Sequence, residues 1–223
     1  QMNFFLRVLI FSLILSCNDT PIIVQEYSIE TLMSNNRSSG GYFSKDASRL
    51  VYSSDKSGIF NIYEVDLNSF EETQITNSKE ESFFTVGYSP LTNEIIYSAD
   101  KGGNENSHLY LIRNGNSIDL TPGDKTKASL LGWNKDQKEM YFLSNSRNSK
   151  YFDLYKLNIE DLSNKIIFEN NEGYSFYPVS NNDKYIVMVQ NPSREVDVMY
   201  LYDLEKNEKI KISNQDANYR GQG

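Results

Sequence analysis

The chain has 223 residues, with 22 Lys plus Arg against 30 Asp plus Glu and a formal net charge of −8. It lacks the basic excess that phosphate neutralisation needs, so no nucleic acid partner is expected. Hydrophobic residues at 39% are too many for a disordered chain, and one Cys and one His leave no intrachain disulfide, no Cys-rich zinc site and no expected cofactor or metal.

The chain opens as a leader. Arg7 supplies a positive start, Val8 to Leu15 an apolar run too short to span a bilayer, and Ser16 a small residue before the single cysteine, Cys17. Ile14-Leu15-Ser16-Cys17 resembles the bacterial lipoprotein signal. That resemblance implies cleavage before Cys17, a lipid anchor on Cys17, membrane attachment through it, and a periplasmic or outer-membrane lipoprotein of the bacterial envelope. An ordinary cleaved signal with an incidental Cys is the alternative. Residues 1–17 are therefore read as signal peptide and 18–38 as tether and lead-in, with Ser28 to Met33 forming a short turn or lead-in strand.

A repeat follows. Phe43-Ser44, Tyr88-Ser89, Trp133-Asn134 and Val179-Ser180 recur at steps of 45, 45 and 46 residues. Each is followed by an apolar run: Leu50-Val51-Tyr52, Ile95-Ile96-Tyr97, Met140-Tyr141-Phe142 and Ile186-Val187-Met188. Next comes an apolar–Tyr pair: Ile62-Tyr63, Leu109-Tyr110, Leu154-Tyr155 and Met199-Tyr200. A last column, Ile75-Thr76, Leu120-Thr121, Ile167-Phe168 and Ile212-Ser213, reads as a short fourth strand. Gly, Asn and Asp clusters such as Asp100-Lys101-Gly102-Gly103-Asn104 and Asn114-Gly115 mark hairpins between them.

Four short strands per unit define an all-β fold. It is a partial β-propeller of about four consecutive four-stranded antiparallel blades of about 45 residues, over 39–223. One blade cannot bury both of its apolar faces, so blades stack and share them; most of the Tyr and Phe are assigned to those shared faces. Gly223 falls in the column of Gly87 and Gly132, one residue before the next aromatic landmark, so the expectation is a chain truncated before a fifth blade.

No catalytic constellation is present in the sequence. Ser38-Ser39-Gly40-Gly41 reads as a Gly/Ser loop, and no G-x-S-x-G elbow occurs. His108, just before Leu109-Tyr110, reads as an ordinary strand or edge residue, since a triad base needs a nearby Ser and an orienting carboxylate. Glu71-Glu72 and Lys79-Glu80-Glu81 read as solvated loops. Asp66, Asp161 and Asp203 read as turn caps. Arg147 and Arg194 sit in equivalent second-to-third-strand loops, where a solvated cation is favoured over a contact with a substrate carboxylate or acidic partner.

Ile29 to Met33, Ser39 to Asp46, Gly58-Ile59-Phe60-Asn61-Ile62-Tyr63 and Leu120-Thr121-Pro122-Gly123 together resemble the propeller of bacterial prolyl oligopeptidase-family serine peptidases. The aromatic–Ser and apolar–Tyr phrases are shared with TolB-like propellers. The chain departs from that pattern in lacking a Pro-Asp-Gly turn after the aromatic–Ser. The resemblance implies an α/β-hydrolase domain after the propeller, carrying a Ser–Asp–His triad that acts on short peptides. The chain would then be the non-catalytic propeller that gates peptide access to it. The alternative is a TolB-like envelope lipoprotein whose propeller docks other envelope proteins.

Overall fold

The structure is a computed structural model and describes residues 26–213. The leader, Cys17 with its lipid-anchor assignment, and the lead-in to a fifth blade lie outside the described residues. Residues 26–35 contain one short helix, α1 (Ile29–Met33). The turn or strand expected there is a helix because Ser28 caps it. The Ser28 hydroxyl accepts from the Thr31 amide at 3.1 Å, and Glu30 places a negative charge in the first turn.

From Ser38 onward the chain forms sixteen strands in four sheets. Blade one contains β1 (Ser38–Phe43), β2 (Arg49–Ser54), β3 (Asn61–Asp66) and β4 (Glu72–Gln74). Blade two contains β5 (Phe84–Tyr88), β6 (Ile95–Ala99), β7 (His108–Arg113) and β8 (Asn116–Asp119). Blade three contains β9 (Ala128–Trp133), β10 (Glu139–Ser144), β11 (Asp153–Asn158) and β12 (Asn164–Phe168). Blade four contains β13 (Ser175–Val179), β14 (Tyr185–Ser193), β15 (Val196–Asp203) and β16 (Glu208–Lys211). Strands pair antiparallel in chain order within every blade. Blades neighbour one another in the same order, β5 against β1 to β3, β9 against β7, and β13 against β9.

The apolar run in each second strand explains the stacking. Side chains alternate across a sheet, so three consecutive apolar residues make both faces apolar. In blade two, Ile95 and Tyr97 pack with Val51 and Ile62 of blade one. Ile96, between them, packs with Met140 and Phe142 of blade three. Tyr141 and Leu154 of blade three in turn meet Ile186 and Met188 of blade four. Tyr88, Tyr97, Phe142, Tyr155, Tyr174 and Phe176 are buried at these junctions, as expected; Phe43 is not, being 62% exposed on blade one.

The Ser/Asn column closes the first hairpin of blades one, three and four. Ser44, Asn134 and Ser180 accept with their side-chain oxygens from the amides of Arg49, Glu139 and Tyr185 at 2.9–3.0 Å. The turns that follow use Ala47, Asn93, Gln137 and Asp183 at positive φ in place of glycine. Asn114 (φ 53°) and Gly115 (φ 76°) make a two-residue hairpin between β7 and β8, as their sequence demands.

Two expectations change. The apolar–Thr/Ser column is not the fourth strand in blades one, two and four but the step just beyond it. There the hydroxyl extends the ladder: Thr76, Thr121 and Ser213 accept from the amides of Ile62, Leu109 and Met199 at 2.9, 3.0 and 3.3 Å. Ser38 to Gly41 is not a loop but the start of β1, bulged between Ser39 and Tyr42. Gly40 has φ +70°, and a Cβ there would lie 2.9 Å from the Thr85 methyl, so the bulge requires glycine.

Polar latches fasten the outer junctions. The Lys45 amide donates to Asn93 across blades one and two at 3.3 Å, and the Lys135 amide to Asp183 across blades three and four at 3.0 Å. The corresponding residue in blade two is Pro90, which has no amide hydrogen. There Arg113 bridges instead, bound to Glu94 on its own blade at 2.6 and 2.8 Å. Across the junction it donates to the carbonyls of Ile159 and Glu160 at 2.7 and 3.1 Å.

Leu154 is 0% exposed, so Leu154→Ala is expected to cost about 2–5 kcal/mol in urea unfolding. Phe70→Ala, at a residue 77% exposed, should stay within about 0.5 kcal/mol. Asp46 accepts from the Ser44 hydroxyl at 2.7 Å and from the Ser48 amide and hydroxyl, which hold its carboxyl at about 2. A depressed carboxyl stabilises above its unfolded value and loses that contribution as pH falls through the folded one. The stability difference between wild type and Asp46→Asn should therefore be flat above about pH 5 and shrink between about pH 4 and 2.

Candidate functional site

One end of the stacked blades is built from the second-to-third-strand loops, 55–60, 100–107, 145–152 and 194–195, and from the crossovers 75–83, 120–127 and 169–174. Its polar chemistry centres on one repeat position, the residue just before each apolar–Tyr pair. That column holds Asn61, His108, Asp153 and Val198.

In blade one, buried Asn61 accepts from the Ser78 amide at 2.7 Å and the Thr76 hydroxyl at 3.0 Å, and donates to the Ser78 carbonyl at 3.1 Å. In blade three, Asp153, fully buried, accepts from the Asn170 amide at 2.7 Å. Arg147 supplies its counter-charge through two bonds of 2.6 and 2.7 Å and reaches on to the Asn170 carbonyl and the Asn171 side chain. In blade two, the His108 ring sits between the Asp119 carboxylate (Nδ1–Oδ2 2.8 Å) and the Gly123 carbonyl (Nε2–O 2.9 Å). All three side chains do one job: they tie the start of the third strand to the crossover leading to the next blade. Val198 has no polar atom with which to do so.

His108 and Asp119 also line an open polar cleft of about 390 Å³ with Lys101, Asn104, Tyr110 and Asp124. A His–carboxylate pair suggests a triad, but the nucleophile's place is taken. Nε2 faces a backbone carbonyl, which has no proton to give. The Tyr110 phenol is pushed up to about 12, by burial first and then by the Asp119 carboxylate, so it stays protonated near neutral pH. The cleft has the chemistry of a polar contact surface. Among the described residues, no group of three His, Cys, Asp or Glu is placed to hold a metal ion.

The remaining candidates separate cleanly. Arg147 pairs with buried Asp153 while staying open to water on its other side, whereas Arg194 is exposed at the tip of the β14–β15 hairpin. Asp66 and Asp203 cap their turns, each accepting two backbone amides at 2.8–3.0 Å, and those bonds lower both carboxyls. Asp161 accepts from the Ser163 amide and hydroxyl, and its carboxyl is lowered too. Glu72 pairs with Lys56 and Tyr52 on blade one. Sequence reasoning read His108 correctly as a strand residue but missed its two ring contacts, and it missed Asp153. The column shared with Asn61 was the available signal.

With the fold and this column in view, comparison with known proteins gives a consistent class. Residues 92–196 match the family model described as the dipeptidyl peptidase IV (DPP IV) N-terminal region. That match spans just under half of the chain. The chain is 32% identical over 103 residues to dipeptidyl aminopeptidase BIII of Pseudoxanthomonas mexicana, a match spanning 45% of this chain and 14% of that protein. Among solved structures, Porphyromonas gingivalis dipeptidyl peptidase 4 superposes with a TM-score of 0.61 at 13% identity, covering 86% of this chain and 28% of that one. TolB from Acinetobacter baumannii superposes with a TM-score of 0.55 at 19% identity, covering 79% and 43%. These structural likenesses show the propeller fold.

Asp153→Ala leaves the buried Asn170 amide unpaired while Arg147 can turn to solvent, and should cost about 1–3 kcal/mol in chemical denaturation. Arg194→Ala, at an exposed tip, should cost less than about 0.5 kcal/mol by the same measurement.

Proposed function

We propose that this chain is the non-catalytic propeller of a serine peptidase of the dipeptidyl-peptidase kind, held at the bacterial envelope by a lipid on Cys17. The match of residues 92–196 to the N-terminal region of such peptidases carries the reading. The propeller's part is to limit which peptides reach a hydrolase domain supplied by the rest of the protein. The pinned crossovers favour that part. Asn61, His108 and Asp153 fix the loops at one end of the blades, as a rim that selects by size must be fixed. The described residues offer no nucleophile–base pair, and the reading asks for none here.

The test uses the full-length protein. It should be labelled by a serine-reactive fluorophosphonate probe, release dipeptides from short peptides, and leave folded proteins intact. Loosening the blades with Leu154→Ala should raise cleavage of longer peptides relative to short ones. A protein that takes no label and cleaves no peptide overturns the reading. Capture of envelope proteins by that inert protein would then favour the TolB-like scaffold.

A further inference from the structure

The crossovers between blades repeat as the strands do. Ahead of the landmarks Tyr88, Trp133 and Val179, one column holds Glu81, Thr126 and Glu172, and another holds Phe83, Ala128 and Tyr174. With the tyrosine of the apolar–Tyr pair, these columns make a frame of one carboxylate and two rings. Blade four has it as Glu172, Tyr174 and Tyr200, and blade two as Glu81, Phe83 and Tyr110. Blade three has Thr126 and Ala128 in those columns, with neither charge nor ring.

Blade four shows what the frame holds. The Lys209 ammonium lies 4.8 Å from the centre of the Tyr174 ring and 4.9 Å from that of Tyr200, with the Glu172 carboxylate 3.5 Å away. Lys209 enters from β16, where it pairs with Tyr202, two residues past the pair tyrosine. The same register in blade two is Ile112 against Ser117. A serine is too short to enter, and the frame there opens on a crevice of about 250 Å³.

That crevice keeps both halves of the chemistry. Phe83, Tyr97 and Tyr110 line it as a row of rings, with neighbouring centres 4.9 and 5.0 Å apart. Glu81 and Asp100 line it as well. Glu81 accepts the Gly102 amide on Oε1 at 3.3 Å, and Asp100 the Glu105 amide on Oδ2 at 2.8 Å. Their second oxygens accept no hydrogen bond among the described residues. Lys101, the counterpart of Lys56, is exposed at the mouth. Ser117 also stands where Glu72 draws Lys56 onto the rings of blade one.

We propose that the crevice of blade two binds an alkylammonium from outside the chain, the group that Lys209 supplies in blade four. The methylene stem lies along the rings and the charged end meets Glu81 and Asp100. A lysine side chain of another polypeptide and a free amine share this chemistry. The inference is independent of the peptidase reading.

Titration calorimetry of the full-length protein with n-butylammonium chloride tests it. One site should saturate, and butyrate, the same stem with the opposite charge, should not bind. Ser117→Lys restores the arrangement of blade four and should weaken binding by about tenfold or more, because a tethered ammonium then occupies the frame. Glu81→Gln should weaken it by about three- to tenfold. Ser117 is exposed, so its replacement should leave the urea midpoint unchanged. Tighter binding of Nα-acetyl-lysinamide than of n-butylammonium assigns the site to a lysine side chain, and the reverse order to a free amine. No saturable binding, equal binding of butyrate, or binding that either substitution leaves unchanged overturns the proposal.

Discussion

A four-stranded sheet with apolar side chains on both faces cannot bury either of them alone. Everything else in this chain follows from that constraint. The second strand of each blade places consecutive apolar residues on opposite faces, so Ile95 and Tyr97 belong to one junction and Ile96 to the next. Stability is then a property of neighbouring pairs of blades. The hydrophobic contribution is carried by residues such as Leu109, Met140 and Leu154, which are almost or wholly withdrawn from water.

Stacking fixes the faces but not the loops. Polar side chains at repeated positions do that work locally. The Ser/Asn column closes the first hairpin in blades one, three and four, and the Thr/Ser column carries the ladder one step past the fourth strand in blades one, two and four. The column of Asn61, His108 and Asp153 then holds the crossover to the next blade. Each blade is thus closed by hydrogen bonds whose donors are backbone amides that a β-sheet end would otherwise leave unpaired. The choice of Asn, His or Asp varies because each crossover presents a different mix of donors and acceptors.

The fold was legible because the pattern is periodic and local. Four registered columns specified four blades, and the turn residues specified the hairpins. What escaped was of two kinds. The short helix at Ile29–Met33 depends on a single cap, Ser28, too brief a signal to oppose a strand reading. The roles of His108, Asp153 and Arg113 depend on partners far along the chain: Gly123, Asn170 and Ile159. Such contacts exist only after blades stack, so no local window reveals them. The Thr/Ser column was seen as a repeat but misread as strand, because a hydroxyl continuing a ladder has the same periodicity as the strand it extends.

The three junctions are not fastened alike. Two are latched by a backbone amide donating to a neighbouring side chain. The middle one has Pro90 at that place and is held by the Arg113 guanidinium, positioned by Glu94. Arg113 and Glu94 remain about a fifth open to solvent, so mobile ions reach them. The seam between blades one and two also carries an ion pair open to water, Arg49 with Glu64, whose carboxylate accepts from the Tyr88 hydroxyl of the next blade. Brine therefore trims the polar fastening of these two seams and leaves their apolar cores, Ile96 against Met140 among them, in place.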